Sequence, residues 1–263
     1  MLPAPRISVA FFGITRSLSY TIDSIRSNIF ASARGYGDVF VCCHFFHQST
    51  INNPRSGEKG LLDPEEYKLL EPDQIEFSKP NTVLEGAGFE LIKSFGDHWG
   101  DDFKSVSNLL HQLYSLKAAT RLALKMKPDI VIFCRPDLLY HDSMRTGIQR
   151  ALASTQPKVM LPQWQRHQGG YNDRFAICAG DSAIKAYGNR LDQALPFCHE
   201  LNIKIHSERL TRYALSQSGV RVGKLNVRAS RIRSDGGQVA EDFSQHSWKQ
   251  FRNAARFRQM LMS

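Results

Sequence analysis

Ile7-Ser8-Val9-Ala10-Phe11-Phe12-Gly13 and Asp38-Val39-Phe40-Val41-Cys42-Cys43-His44 are two mostly apolar runs, the first stopping on glycine. Each has the length of a strand, and apolar residues at successive positions suit burial on both faces. Between them Ile22, Ile25 and Ile29 recur at helical spacing, Ser17 stands where a cap is expected, and Gly35 and Gly37 close the segment. Strand, helix and strand at this spacing make a βαβ unit, which predicts a parallel sheet.

On the C-terminal side of this unit, residues 47 to 72 are rich in Asn, Pro, Gly and charge. They predict a long surface loop with a short helix near Pro64 to Leu70, followed by a short strand at Ile75 to Phe77. Ser105 to Met126 gives the clearest helix, with Leu109, Leu113, Leu116 and Ala123 along one face. Pro128 ends it, and Asp129-Ile130-Val131-Ile132-Phe133-Cys134 is another buried strand, leading into Arg135-Pro136-Asp137. Further strands are expected at Lys158 to Leu161, Phe175 to Cys178 and Val220 to Val227, and helices at Asp181 to Leu195 and Ser207 to Gln217.

The composition of the 263 residues, 42% hydrophobic and 22% charged, is that of a globular protein. No stretch approaches the roughly 18 apolar residues of a membrane span. Met1 to Arg6 lacks the features of a secretory signal, so cytoplasmic residence is the expectation. Cys42, Cys43, Cys134, Cys178 and Cys198 have no C-x-x-C spacing and read as buried reduced thiols. The net charge of +9 is dispersed and accompanies no nucleic-acid-binding pattern, so nucleic acid is not an expected partner. The basic excess is densest from Lys249 to Ser263, with Lys249, Arg252, Arg256, Arg258 and no acid. A helix over Ser247 to Met262 would set Trp248, Phe251, Ala255 and Leu261 opposite Lys249, Arg252 and Arg256. Such a helix suits either packing on its own domain or peripheral contact with anionic lipid at the inner face of a membrane.

Four constellations bear chemistry. Gly13, Thr15, Arg16 and Ser17 lie where a strand gives way to a helix, a place that suits either a plain turn and cap or a phosphate. Arg135-Pro136-Asp137 follows a buried strand. Asp137 there suits a divalent ion bridging a diphosphate, and Arg135 suits the phosphate itself or a closing ion pair with Asp137. Trp164 to Ala176 holds paired glycines, Gly169 and Gly170, with Tyr171, Asn172 and Asp173. Tyr171 and Trp164 suit stacking on a sugar or base, and Asp173 suits a general base, against a local Asx-turn with Arg174. His206-Ser207-Glu208 opens a helix, where Ser207 suits a cap and Glu208 the first turn, or else His206 or Glu208 reaches the site.

The order of F-F-G-I-T-R-S, D-V-F-V-C-C-H, H-Q-L-Y-S-L-K, D-I-V-I-F-C-R-P-D-L, G-G-Y-N-D-R-F-A-I-C and H-S-E-R-L-T-R-Y-A-L resembles a group of bacterial glycosyltransferases associated with surface-polysaccharide synthesis. The resemblance spans about Ile7 to Gly236. It implies a single GT-A-like α/β domain over residues 1–236, with a mostly parallel sheet flanked by helices and a basic helical tail over 237–263. It implies a nucleotide-sugar donor at Gly13, Thr15, Arg16, Ser17, Arg135 and Asp137, and a glycan or glycolipid acceptor at Trp164, Gly170, Tyr171 and Asn172. Asp173 and Glu208 would be the catalytic carboxyls. Asp137 would be the ligand of an Mn²⁺ or Mg²⁺ ion, but Arg135 replaces the first acid of the usual Asp-x-Asp, which puts metal dependence in question. A catalytically silent nucleotide- or sugar-binding module is the alternative reading.

Overall fold

The computed structural model describes residues 3–53, 56–244 and 248–262, without the side chains of 248–251. Met1 and Ser247, and the side chains of Trp248, Lys249 and Phe251 invoked above, lie outside the described residues. Seven strands of the described residues form the main sheet: β1 (Arg6–Gly13), β2 (Asp38–Phe46), β3 (Gln74–Ser78), β4 (Ile130–Cys134), β5 (Lys158–Pro162), β6 (Ala176–Ala179) and β7 (Arg221–Leu225). Their spatial order is β3-β2-β1-β4-β6-β5-β7. All pairings are parallel except those of β6, which runs antiparallel to both β4 and β5. This mixed α/β domain, a mostly parallel sheet flanked by helices, is the expected fold class.

The apolar runs become strands because the sheet is covered on both sides. Ile7, Val9 and Phe11 of β1 enter one core cluster, and Ala10 and Phe12 enter the other, as the two-residue period of a strand requires. The first cluster is closed by α1 (Leu18–Ile25), which continues through a π-helical turn at Arg26–Phe30 to Ala31–Arg34. Ile22, Ile25 and Ile29 are all buried there. The second is closed by α2 (Lys104–Leu124) and α4 (Asp181–Gly188). A helix not foreseen in the sequence, α3 (Arg145–Leu152), packs on the first face with Ile148 and Ala151 buried.

The remaining departures are local. The loop after β2 contains a hairpin pairing Thr50–Asn53 with Glu58–Leu61, besides the expected short helical turn at Glu66–Leu70. The expected helix from Asp181 to Leu195 stops at Gly188. A 3-10 turn at Arg190–Gln193 separates it from α5 (Ala194–Leu201), and Gly188 lies so close to Thr120 that no side chain fits there. Ser17 does not cap α1: its hydroxyl donates to Ile232 O at 3.0 Å, and Ser19 N–H is instead received by Glu66 Oε1 at 2.7 Å, from a distant part of the chain. All five cysteines are buried free thiols.

The helix α6 spans Ser207–Gln217, and the C-terminal α7 spans Trp248–Met260. Phe257 of α7 is buried with Phe197 and Tyr213, and Arg212 of α6 donates to Ala254 O at 3.1 Å. Among the described residues no helix is long and apolar enough to cross a membrane.

Candidate functional site

The parallel strands all deliver their C-terminal ends to one edge. Because β6 is antiparallel, its entry segment lies at that edge instead, and this brings Asp173 to the same side as Gly13 and Arg135. Gly13 has φ +108°, a conformation suited to glycine, and a side chain there would meet nothing within 4 Å, so open space lies over the end of β1. Its N–H donates to Ser115 Oγ at 2.9 Å, pinning α2 to the strand end. Thr15 and Arg16 follow, and Thr21 of α1 donates to Pro136 O at 2.6 Å, tying the helix to the Arg135-Pro136-Asp137 turn.

Asp137 is buried, and guanidinium groups occupy both its oxygens. Arg135 donates from Nε to Oδ1 at 2.9 Å and from Nη2 to Oδ2 at 2.6 Å, and Arg16 Nη2 reaches Oδ2 at 2.7 Å. Burial alone would raise the Asp137 pKa, but Arg135 and Arg16 hold it well below the usual carboxylate range. Arg16 Nη1 also reaches Glu58 Oε2 at 3.0 Å, and Arg233 joins Glu58 at 2.7 Å. Three arginines thus share two carboxylates, leaving an excess of positive charge. Arg16 Nε is buried with no hydrogen-bond partner.

These residues do not fit a divalent cation. The one acid assigned to the metal has its oxygens committed to two cations, and a third cation would meet their repulsion. Among the described residues no group of three or more His, Cys, Asp or Glu is placed to hold an ion.

A polar relay leads from this network to a second group of acids. Arg135 Nη1 donates to Gln112 Oε1 at 3.1 Å, and Gln112 Nε2 approaches Asp173 Oδ2 at 3.5 Å. Ser207 places its hydroxyl on Asp173, not on a helix N–H, so it is no cap. Burial would raise the Asp173 pKa, but Arg190, the Ser207 bond and Arg174 keep it below its ordinary value. Glu208 responds in the opposite direction: burial first, then the charge of Asp173, push it up to about 8. Beside it, His206 Nδ1 lies 3.4 Å from Glu208 Oε2, and burial followed by His98 lowers the imidazole to about 3. The surroundings therefore favour the ionised form of Asp173 and the neutral forms of Glu208 and His206.

The structure gives the other expected residues structural surroundings. Trp164 is buried, donates its indole N–H to Val227 O at 2.8 Å, and packs on Phe243 and beneath Arg174. Asn172 is buried and closes an Asx-turn, accepting Arg174 N–H at 3.1 Å while donating to Trp164 O at 2.9 Å. Gly170 lies against the Glu208 backbone, where any side chain would collide. Tyr171 is half-buried, and its N–H bonds Glu208 O at 2.9 Å.

Sequence reasoning did not reach Glu58, Gln112, Arg190 or Arg233. Glu58 and Arg233 lie in stretches without periodicity, and Gln112 is one polar position on a long helix. Arg190, fully buried against Tyr187 and Thr211, follows a break that was read as continuous helix.

No protein-family model matches the chain, and no curated protein matches it. Among solved structures, the apo form of mouse xyloside xylosyltransferase 1 is similar at a TM-score of 0.42 and 10% identity, covering 85% of this chain and 85% of that one. At that level the likeness assigns no chemistry to this chain.

Proposed function

We propose that this protein transfers a glycosyl group from a nucleoside diphosphate donor to a hydroxyl of a glycan or glycolipid acceptor. One observation supports the reading above the rest. An arginine cluster with surplus charge and a pair of carboxyls with opposed protonation stand at the same sheet edge, joined through Gln112.

In this reading the diphosphate rests over Gly13 and Thr15 against Arg16 and Arg135. Their charge favours the developing negative charge on the leaving group, the stage at which electrostatic stabilisation accelerates a reaction. The bond between the anomeric carbon and the diphosphate oxygen breaks, and a bond to the acceptor oxygen forms. The acceptor proton passes to Asp173, which is ionised at neutral pH, while Glu208 keeps its own proton and spares the site a second negative charge. Ser17, Asn172 and Trp164 shape the site from behind. No step runs through a metal.

The test is product formation over a panel of UDP-, GDP-, CMP- and dTDP-sugars with simple glycosyl acceptors. Asp173→Asn is expected to lower turnover by about 10²–10⁴-fold, the usual range for a lost general base. Full activity in both Asp173→Asn and Glu208→Gln removes the assignment. Nucleotide binding without turnover across the panel points instead to a silent binding module, a reading favoured by the full neutralisation of Asp137.

A further inference from the structure

A second concentration of positive charge lies where the 164–176 segment meets α7. The Arg166 guanidinium stands 5.0 Å from the centre of the Tyr171 ring, and that of Arg212 stands 5.5 Å from it. Two cations against one aromatic ring are tolerable because the ring face is electronegative. Arg258, exposed on α7 one helical turn beyond Ala254, whose carbonyl Arg212 reaches at 3.1 Å, adds a third. Burial lowers the pKa of both Arg166 and Arg212, and the charge of Arg258 lowers both further. Arg212 donates to Gly169 O at 2.6 Å and to Ala254 O at 3.1 Å, which satisfies hydrogen bonds without supplying countercharge. Among the described residues, no carboxylate lies within 4.0 Å of Arg166, Arg212 or Arg258 in any ion pair.

Three arginines at the strand ends differ in this respect. Arg16, Arg135 and Arg174 each meet a carboxylate. Like charges held together without a counterion are costly, and planar guanidinium groups match phosphate oxygens in pairs.

The geometry points to a phosphate-binding site formed by Arg166, Arg212 and Arg258 beside Tyr171, taking a phosphoryl group from a soluble phosphate ester or a phospholipid head group. Tyr171 is bonded through its N–H to the Glu208 backbone, which ties the segment that would hold the phosphoryl group to the helix carrying Glu208. Under the transfer reading it belongs to the acceptor. That identity rests on the reading, whereas the anion site stands without it.

Thermal unfolding of the full chain in sodium phosphate, against sodium chloride at equal ionic strength, tests the site. Phosphate raises Tm in the wild type, because a ligand of the folded state stabilises it. Loss of one charge-assisted contact in Arg166→Gln or Arg258→Gln weakens the phosphate Kd by about tenfold. Arg135→Gln, at the sheet edge, retains the Arg258-dependent part. Arg258 is exposed, so its variant keeps the test valid if Arg166→Gln fails to fold. An equal phosphate response in the wild type and Arg258→Gln overturns the proposal. Cosedimentation with phosphatidylglycerol vesicles, against phosphatidylcholine, assigns the source. Arginine-dependent sedimentation indicates a head group, a phosphate response without sedimentation indicates a soluble ester, and neither effect overturns the site. An arginine-dependent phosphate response in a protein that transfers no sugar would leave this site standing and sink the transfer reading alone.

Discussion

Two halves of one sheet edge treat their charges in opposite ways. At the ends of β1 and β4, Asp137 and Glu58 are enclosed by Arg16, Arg135 and Arg233, and each carboxylate has its pKa lowered. At the entry to β6 and the start of α6, Asp173, Glu208 and His206 crowd together, and Glu208 and His206 both have their neutral forms favoured. The first region stabilises charge and holds its geometry. The second keeps one charge, on Asp173, beside two groups whose neutral forms are favoured. Enclosure alone therefore does not decide what a buried acid does; the sign of its neighbours does.

The largest effect should come from breaking the satisfied half. Asp137→Asn leaves Arg135 without its carboxylate and Arg16 with Glu58 alone, and should destabilise the fold by about 3–5 kcal/mol, as removal of one partner of a buried pair does. Urea unfolding measures it, and a loss under about 1 kcal/mol would mean that the network is solvated. Next comes the seam between the halves. Gly170→Ala drives a methyl into the Glu208 backbone and should cost about 1–3 kcal/mol by overpacking, with loss of the protonation pattern around Glu208.

The third prediction concerns pH. The folded pKa of Glu208, about 8, lies above its ordinary 4.5, so the unfolded chain binds fewer protons between those values. The stability linked to Glu208 is complete below its unfolded pKa and is lost as pH rises towards its folded pKa. Relative to Glu208→Gln, the wild type should lose stability at up to about 1.4 kcal/mol per pH unit across that window. His206 and His44, lowered to about 3 and about 4, act in the reverse direction below their ordinary 6.5, so the raw curve of the wild type declines mainly above that value. Parallel curves for the wild type and Glu208→Gln would remove the contrast between the two halves.

The satisfied half was partly legible in the sequence. The apolar runs of β1, β2 and β4 name their strands, and position alone places Arg16 and Asp137 at strand ends. Glu58 was not legible, because its burial depends on Arg233 far along the chain. The direction of β6 was hidden as well: four apolar residues, Ala176–Ala179, read the same in either orientation. That direction decides whether Asp173 or the opposite end of the strand reaches the site. In the responsive half, His206 and Glu208 were legible as candidates from their place at the start of α6, but the raised pKa of Glu208 was not, since only tertiary packing buries it and puts Asp173 beside it.

The smallest effect sharpens the account of how the edge is built. Glu66→Ala removes the acceptor for Ser19 N–H and should cost about 0.5–2 kcal/mol, the range for a lost helix cap, without altering the charge of either half. A change in nucleotide affinity in this variant would show that α1 positions the arginines more tightly than its hydrogen bonds suggest.

The most direct test is titration of the full chain with nucleoside diphosphates in the presence of a chelator, for the wild type and Arg135→Gln. The account predicts saturable binding of one diphosphate without added metal, weakened about tenfold or more when the guanidinium is lost. Binding that requires Mn²⁺ or Mg²⁺, or that is indifferent to Arg135, would contradict it.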